Sequence, residues 1–123
     1  PVGPEWIPSL YQAADAGVVP LRDRPIFSGA LPTKLFEVLA AARPAIVAAR
    51  GEAADLVREA GAGLAVAPED PGALADAFRE LRGSPEQALQ MGRRGRLRAT
   101  AFSRASAVER WYELLRNLEP SRQ

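Results

Sequence analysis

The 123-residue sequence contains no cysteine and no histidine. Without thiols it has no disulfides, no thiol nucleophile and no thiolate metal site. Without imidazole it lacks the commonest general base, the Ser-His-Asp triad and histidine-rich zinc sites. Chemistry here must come from carboxylates, Lys, Arg, Tyr, Ser, Thr and backbone dipoles. Excess charge is also lacking: sixteen basic residues face fifteen acidic ones, a net charge of +1. No global field therefore recruits nucleic acid or an anionic membrane. No apolar run approaches the roughly 18 residues of a membrane-spanning helix. The opening stretch, PVGPEWIPSL, has neither the basic nor the apolar region of a signal peptide. A cytoplasmic, reducing setting is the default expectation. Because the first residue is Pro1 and not Met, the chain is expected to be a piece of a longer protein.

What is present is an alternation of short apolar runs and helical stretches. The runs Ala16–Leu21, Pro44–Ala48 and Gly63–Ala67 read as buried strands, because they lack the apolar–polar alternation of half-exposed ones. Helices are expected over Pro8–Ala14, Pro32–Ala42, Glu52–Ala60, Pro71–Leu81, Pro85–Arg98 and Arg104–Leu118. Gly61 is a C-terminal cap, Pro71 a first-turn proline and Ser103 an N-cap. Strands joined by helices of about ten residues imply right-handed crossovers and a parallel sheet, so the fold class is α/β and Rossmann-like. Three strands make a thin sheet, and the remainder is expected upstream of Pro1.

In an open parallel sheet, ligands bind beyond the carboxyl ends of the strands, where loops lead into helices. The segment Phe27-Ser28-Gly29-Ala30-Leu31-Pro32-Thr33-Lys34-Leu35-Phe36-Glu37 is such a loop and helix. With Pro32 at the first helical position, the amides of Thr33, Lys34 and Leu35 are left free for an anion. Lys34, the only lysine among the sixteen basic residues, opposes the helix dipole unless an anion is bound. Glu37 sits in an otherwise apolar stretch and needs hydrogen-bond donors, for which ribose hydroxyls are suitable. Thr33, Lys34 and Glu37 share one helix edge. A plain surface pair between Lys34 and Glu37 is an equal reading of the spacing. Asp15 is read as a structural cap over a catalytic acid, and Glu52, which could also face the cleft, as a helix N-terminal acid. Arg22-Asp23-Arg24 is either a cleft-lining segment or a solvated loop. The Arg93, Arg94, Arg96, Arg98 and Arg104 run is read as a solvated helix face.

These residues resemble the donor-binding signature of family-4 (group 1) glycosyltransferases of the GT-B fold. They are most similar to a subgroup of bacterial cell-surface sugar transferases with a Pro-Ser/Thr-Lys-x-x-Glu pattern. Here the pattern is Pro32-Thr33-Lys34-Leu35-Phe36-Glu37. Leu10–Pro20, Arg43–Ala48, Gly61–Leu74, Met91–Gly95, Phe102-Ser103 and Trp111–Leu115 follow the family in order and spacing. The resemblance implies that residues 1–123 are a partial carboxyl-terminal nucleotide-sugar-binding domain. The upstream strands and the amino-terminal acceptor domain would be absent. It further implies a retaining transferase of the hexosyl or N-acetylhexosaminyl class that needs no metal or cofactor. Its donor would be a UDP- or GDP-sugar and its acceptor a glycan or lipid-linked molecule. The setting would be cell-envelope polysaccharide synthesis in the cytoplasm, with peripheral contact at the inner membrane as an open alternative and no nucleic-acid partner. Gly29, Ala30, Leu31, Pro32, Thr33 and Lys34 would meet the diphosphate and sugar, and Glu37 the ribose. Many members carry a second glutamate eight positions earlier, where this chain has Gly29, so the donor sugar stays open. Catalytic residues are not assigned, and the chain alone is expected to be inactive. A non-catalytic nucleotide-binding or regulatory module is the alternative, and an arginine-mediated nucleic-acid binder a third.

Overall fold

A computed structural model describes residues 2–118. A 3-10 turn over Pro4–Trp6 leads into α1 (Ile7–Ala13). Then follow β1 (Gly17–Pro20), a second 3-10 turn (Pro25–Phe27), α2 (Thr33–Ala40), β2 (Ala45–Ala48) and α3 (Glu52–Ala60). The chain continues through β3 (Gly63–Val66), α4 (Pro71–Gly83), α5 (Pro85–Thr100) and α6 (Arg104–Leu118). The three strands form one parallel sheet in the order β1-β2-β3, with Gly17 opposite Ala45 and Ala45 opposite Gly63. Helical crossovers thus join parallel neighbours, as the alternation predicts.

The strands are shorter than expected and not equally buried. All four residues of β2 are buried, whereas β1 alternates and β3 is half-buried throughout. Only the central strand is covered on both faces, so only its apolar run carries the full double-sided meaning. The core is split by the sheet. On one side Val19, Val47, Leu35, Val38, Leu39, Leu56 and Val57 pack together; on the other Ile46 meets Ala77, Leu81 and Met91.

Helix boundaries follow their local chemistry. Gly61 ends α3 in the left-handed conformation, φ 58°. Asp70 caps α4 by accepting from the Ala73 amide at 2.9 Å, and Ser103 accepts from the Ser106 amide at 3.1 Å. Pro32 departs from expectation. It is the N-cap of α2 with extended backbone and not its first helical residue. α4 and α5 each run two residues further than expected.

Two glycines of α5 set how closely it lies on the domain. A Cβ at Gly92 would come within 2.1 Å of the Ala42 carbonyl oxygen, and one at Gly95 within 2.8 Å of Leu39. The spacing Met91-Gly92-Arg93-Arg94-Gly95 is therefore a packing device, seating α5 against α2 and the turn into β2. That turn holds Ala42 at φ 56°, a conformation that suits glycine.

Candidate donor-binding edge

Three loops leave the carboxyl ends of the strands, and polar contacts tie them together. Arg50 after β2 pairs with Asp23 after β1, Nε to Oδ1 at 3.1 Å. The Asp23 amide donates to Glu69 Oε2 after β3 at 3.1 Å. Gly51 lies against the Ser28 backbone: its φ is +75° and a Cβ would meet the Ser28 oxygen at 2.1 Å. The next amide, Glu52 N–H, donates to that oxygen at 2.8 Å. The 22–34 loop is thus fastened to the start of α3. Beside it Arg22, Asp23, Arg24, Ser28 and Arg50 line a cavity of about 210 Å³.

The expected anion site lies on this edge, with one amide fewer. The Leu35 amide is used, donating to Pro32 O at 3.0 Å. This follows from Pro32 being the N-cap: its carbonyl accepts the first bond of the helix. The Thr33 and Lys34 amides have no backbone partner, and both residues are exposed. The loop residues Gly29, Ala30, Leu31 and Pro32 lead directly into them. The ion pair between Lys34 and Glu37 is absent from the structure. The Lys34 ammonium meets no carboxylate among the described residues.

Glu37 corrects a second expectation. It is not enclosed by apolar side chains; it is exposed, with Thr33, Lys34 and Ala40 on the solvent side of α2, while Leu35, Val38 and Leu39 face the core. A helix needs only part of its circumference apolar to dock, and the many alanines nearby made the segment read as more enclosed than it is. The shared edge of Thr33, Lys34 and Glu37 does hold. Glu37 also has a donor within the protein, because Tyr11 Oη donates to its Oε2 at 3.1 Å. The Tyr11 phenol is pushed above its ordinary pKa, first by burial and then by the hydrogen bond and charge of Glu37. Arg43 holds this partner in place, donating from Nε to the Tyr11 carbonyl at 3.1 Å and from Nη2 to the Gln12 carbonyl. These carbonyls belong to the last turn of α1, and that of Tyr11 also accepts from the Ala14 amide at 3.3 Å. Tyr11, Glu37, Pro8 and Ala40 line a groove of about 440 Å³ between α1 and α2. Neither Tyr11 nor Arg43 had a site role in the sequence. A tyrosine on a helix before a strand gives no signal of which later carboxylate it will meet.

Other expected features resolve as follows. Asp15 makes no capping hydrogen bond; it lines a cleft of about 660 Å³ at the opposite, amino edge of the sheet, with Arg43, Phe78 and Arg82. That cleft lies behind the loops just described and shares no residue with the 28–34 segment. The N-cap of α3 is Gly51, and no side chain caps that helix. Arg93 and Arg96 are exposed, as a solvated face requires. Among the described residues, no group of three potential metal ligands gathers, and no helix is long and apolar enough to cross a membrane.

A parallel sheet with helical crossovers, an exposed loop and an acid one turn into the following helix makes this a Rossmann-like α/β domain with a candidate ligand edge. Residues 1–83 match the model of the family described as glycosyl transferases group 1, and the chain belongs to that family. It is similar to the solved sucrose-phosphate synthase of Thermosynechococcus elongatus, with 30% identity and a TM-score of 0.79. That match covers 95% of this chain and 28% of the synthase, so the chain spans under a third of that enzyme's length. The fold is accordingly a fragment of the GT-B architecture. No curated protein matches the chain.

Proposed function

We propose that this chain is the donor-binding part of a retaining glycosyltransferase, of the Pro-Ser/Thr-Lys-x-x-Glu subgroup. The whole enzyme would transfer a hexosyl or N-acetylhexosaminyl group from a UDP- or GDP-sugar to a glycan or lipid-linked acceptor. The setting is cell-envelope polysaccharide synthesis on the cytoplasmic side of the membrane. Family membership supports the transferase class. One observation carries the residue assignment: two amides and an ammonium without partners among the described residues share one exposed edge of α2 with an acid, at the carboxyl end of a parallel sheet.

Each group has a chemical task in this reading. The Thr33 and Lys34 amides, at the positive end of the helix dipole, take diphosphate oxygens. Lys34 adds a compact charge beside them. Glu37 is four residues, about 6 Å, further along the axis. One of its oxygens is held by Tyr11, which leaves Oε1 to accept from ribose hydroxyls. As the bond to the sugar breaks, negative charge grows on the departing diphosphate, and fixed amides and Lys34 stabilise it without reorganising. In this reading the residues of this chain bind and hold the leaving group, and the acceptor half of the cleft would come from elsewhere in the whole enzyme.

Calorimetric titration of UDP, GDP and ADP into the chain tests the reading. One diphosphate is expected to bind, and Lys34→Ala and Glu37→Ala are each expected to weaken it about tenfold, or about 1.4 kcal/mol. Variants that bind as tightly as the parent would remove the site assignment.

A further inference from the structure

Glu52 has the chemistry of a ligand-facing carboxylate without the contacts of a structural one. It is the first residue of α3 and exposed, and its side chain makes no hydrogen bond or ion pair among the described residues. Its backbone cannot drift. The amide is bonded to Ser28 O, and Gly51 is locked against the same residue by a close approach that only glycine permits. The consequence is positional. Glu52 Oε1 lies 3.9 Å from where a Cβ on Gly29 would stand. A carboxylate from the second crossover thus overhangs the bare backbone at the start of the amide-lined loop.

Four carboxylates stand on this edge, and three already have partners: Asp23 pairs with Arg50, Glu69 accepts from the Asp23 amide and Glu37 accepts from Tyr11. Glu52, at the start of α3, is the one without a partner among the described residues. A carboxylate repels a diphosphate and accepts from hydroxyls, so Glu37 and Glu52 suit the uncharged, hydroxyl-bearing ends of a donor. Glu37 takes the ribose end, which leaves the transferred sugar for the Glu52 end. Glycine at position 29 keeps the intervening space open.

We propose that Glu52 is the sugar-binding carboxylate of this donor site, accepting hydrogen bonds from hydroxyls of the transferred sugar across Gly29. The inference rests on the donor reading above and names which part of the donor each acid holds. A purely structural Glu52, acting through the helix dipole, would alter stability and not discriminate between ligands.

The test compares sugar nucleotides with their parent diphosphates on the full chain. UDP-glucose, UDP-N-acetylglucosamine, GDP-mannose and ADP-glucose are titrated beside UDP, GDP and ADP, and the tightest sugar nucleotide is followed. Glu52→Gln is expected to weaken that sugar nucleotide about tenfold while affinity for its diphosphate does not fall. Adding Gly29→Glu to Glu52→Gln, which supplies a carboxylate from across the same gap, is expected to restore part of the loss. An equal loss for both ligands, or no loss for the sugar nucleotide, would overturn the assignment while leaving the donor site in place. Absence of any nucleotide binding by the parent chain would remove the donor reading and this inference with it.

Discussion

The Tyr11–Glu37 hydrogen bond joins a helix that precedes the sheet to the acid proposed to hold ribose. It also makes Tyr11 a reporter. With its pKa raised, Tyr11 contributes stability that is fully present below the unfolded value of about 10. That contribution fades above it and is lost once pH passes the folded value. In a Tyr112→Phe background, which leaves Tyr11 as the only tyrosine, ultraviolet titration should show a phenol ionising above the ordinary range. Glu37→Gln should bring it down without reaching the ordinary value, because burial, the larger cause, remains. A phenol that ignores Glu37→Gln would show the contact to be absent in solution. Ala42 offers a second test. Held at φ 56°, it pays for a left-handed conformation that glycine adopts freely. Ala42→Gly should therefore raise stability by about 0.5–1 kcal/mol in urea unfolding, net of the added freedom of the unfolded chain.

Among the elements, α5 depends most on a close approach. Gly92→Ala should destabilise the domain by about 1–3 kcal/mol, since a methyl group would press on the Ala42 carbonyl, which is backbone and cannot swing aside. Gly83→Ala is the control: a Cβ there meets nothing within 4 Å, and no loss is expected by the same measurement. The elements were largely legible in the sequence, because apolar runs, prolines and caps are local signals. Gly61, Pro71 and Ser103 act within a turn of where they stand. The site was legible only along one helix. Thr33, Lys34 and Glu37 could be placed on a shared edge from spacing alone. Their partners could not. Tyr11 lies 26 residues from Glu37, and Gly29 lies 23 from Glu52, so both meetings depend on the sheet bringing loops and helices together. The exposure of Glu37 is hidden in the sequence for the same reason: the arc of α2 that faces the core is the one that β1 and β2 cover.

At the scale of the molecule, the described surface leaves apolar side chains uncovered at both ends of the chain. Trp6 is 57% exposed and Trp111 is 64% exposed, and Val108, Leu114 and Leu115 continue the stripe on α6. Both tryptophans should thus emit as water-exposed indoles in the folded chain. Acrylamide should quench them readily, and global unfolding should change fluorescence little while abolishing helical circular dichroism. A large blue-shifted native emission would mean that these faces are covered in solution. The central claim is that a diphosphate sits on the amides opening α2. Amide chemical-shift mapping during titration with the nucleoside diphosphate tests it most directly. The largest changes are predicted at Leu31, Thr33 and Lys34, with smaller ones near Glu37 and Glu52 and none at Arg93 or Arg96. Changes concentrated on α5, or at the cleft lined by Asp15 and Arg82, would contradict the account.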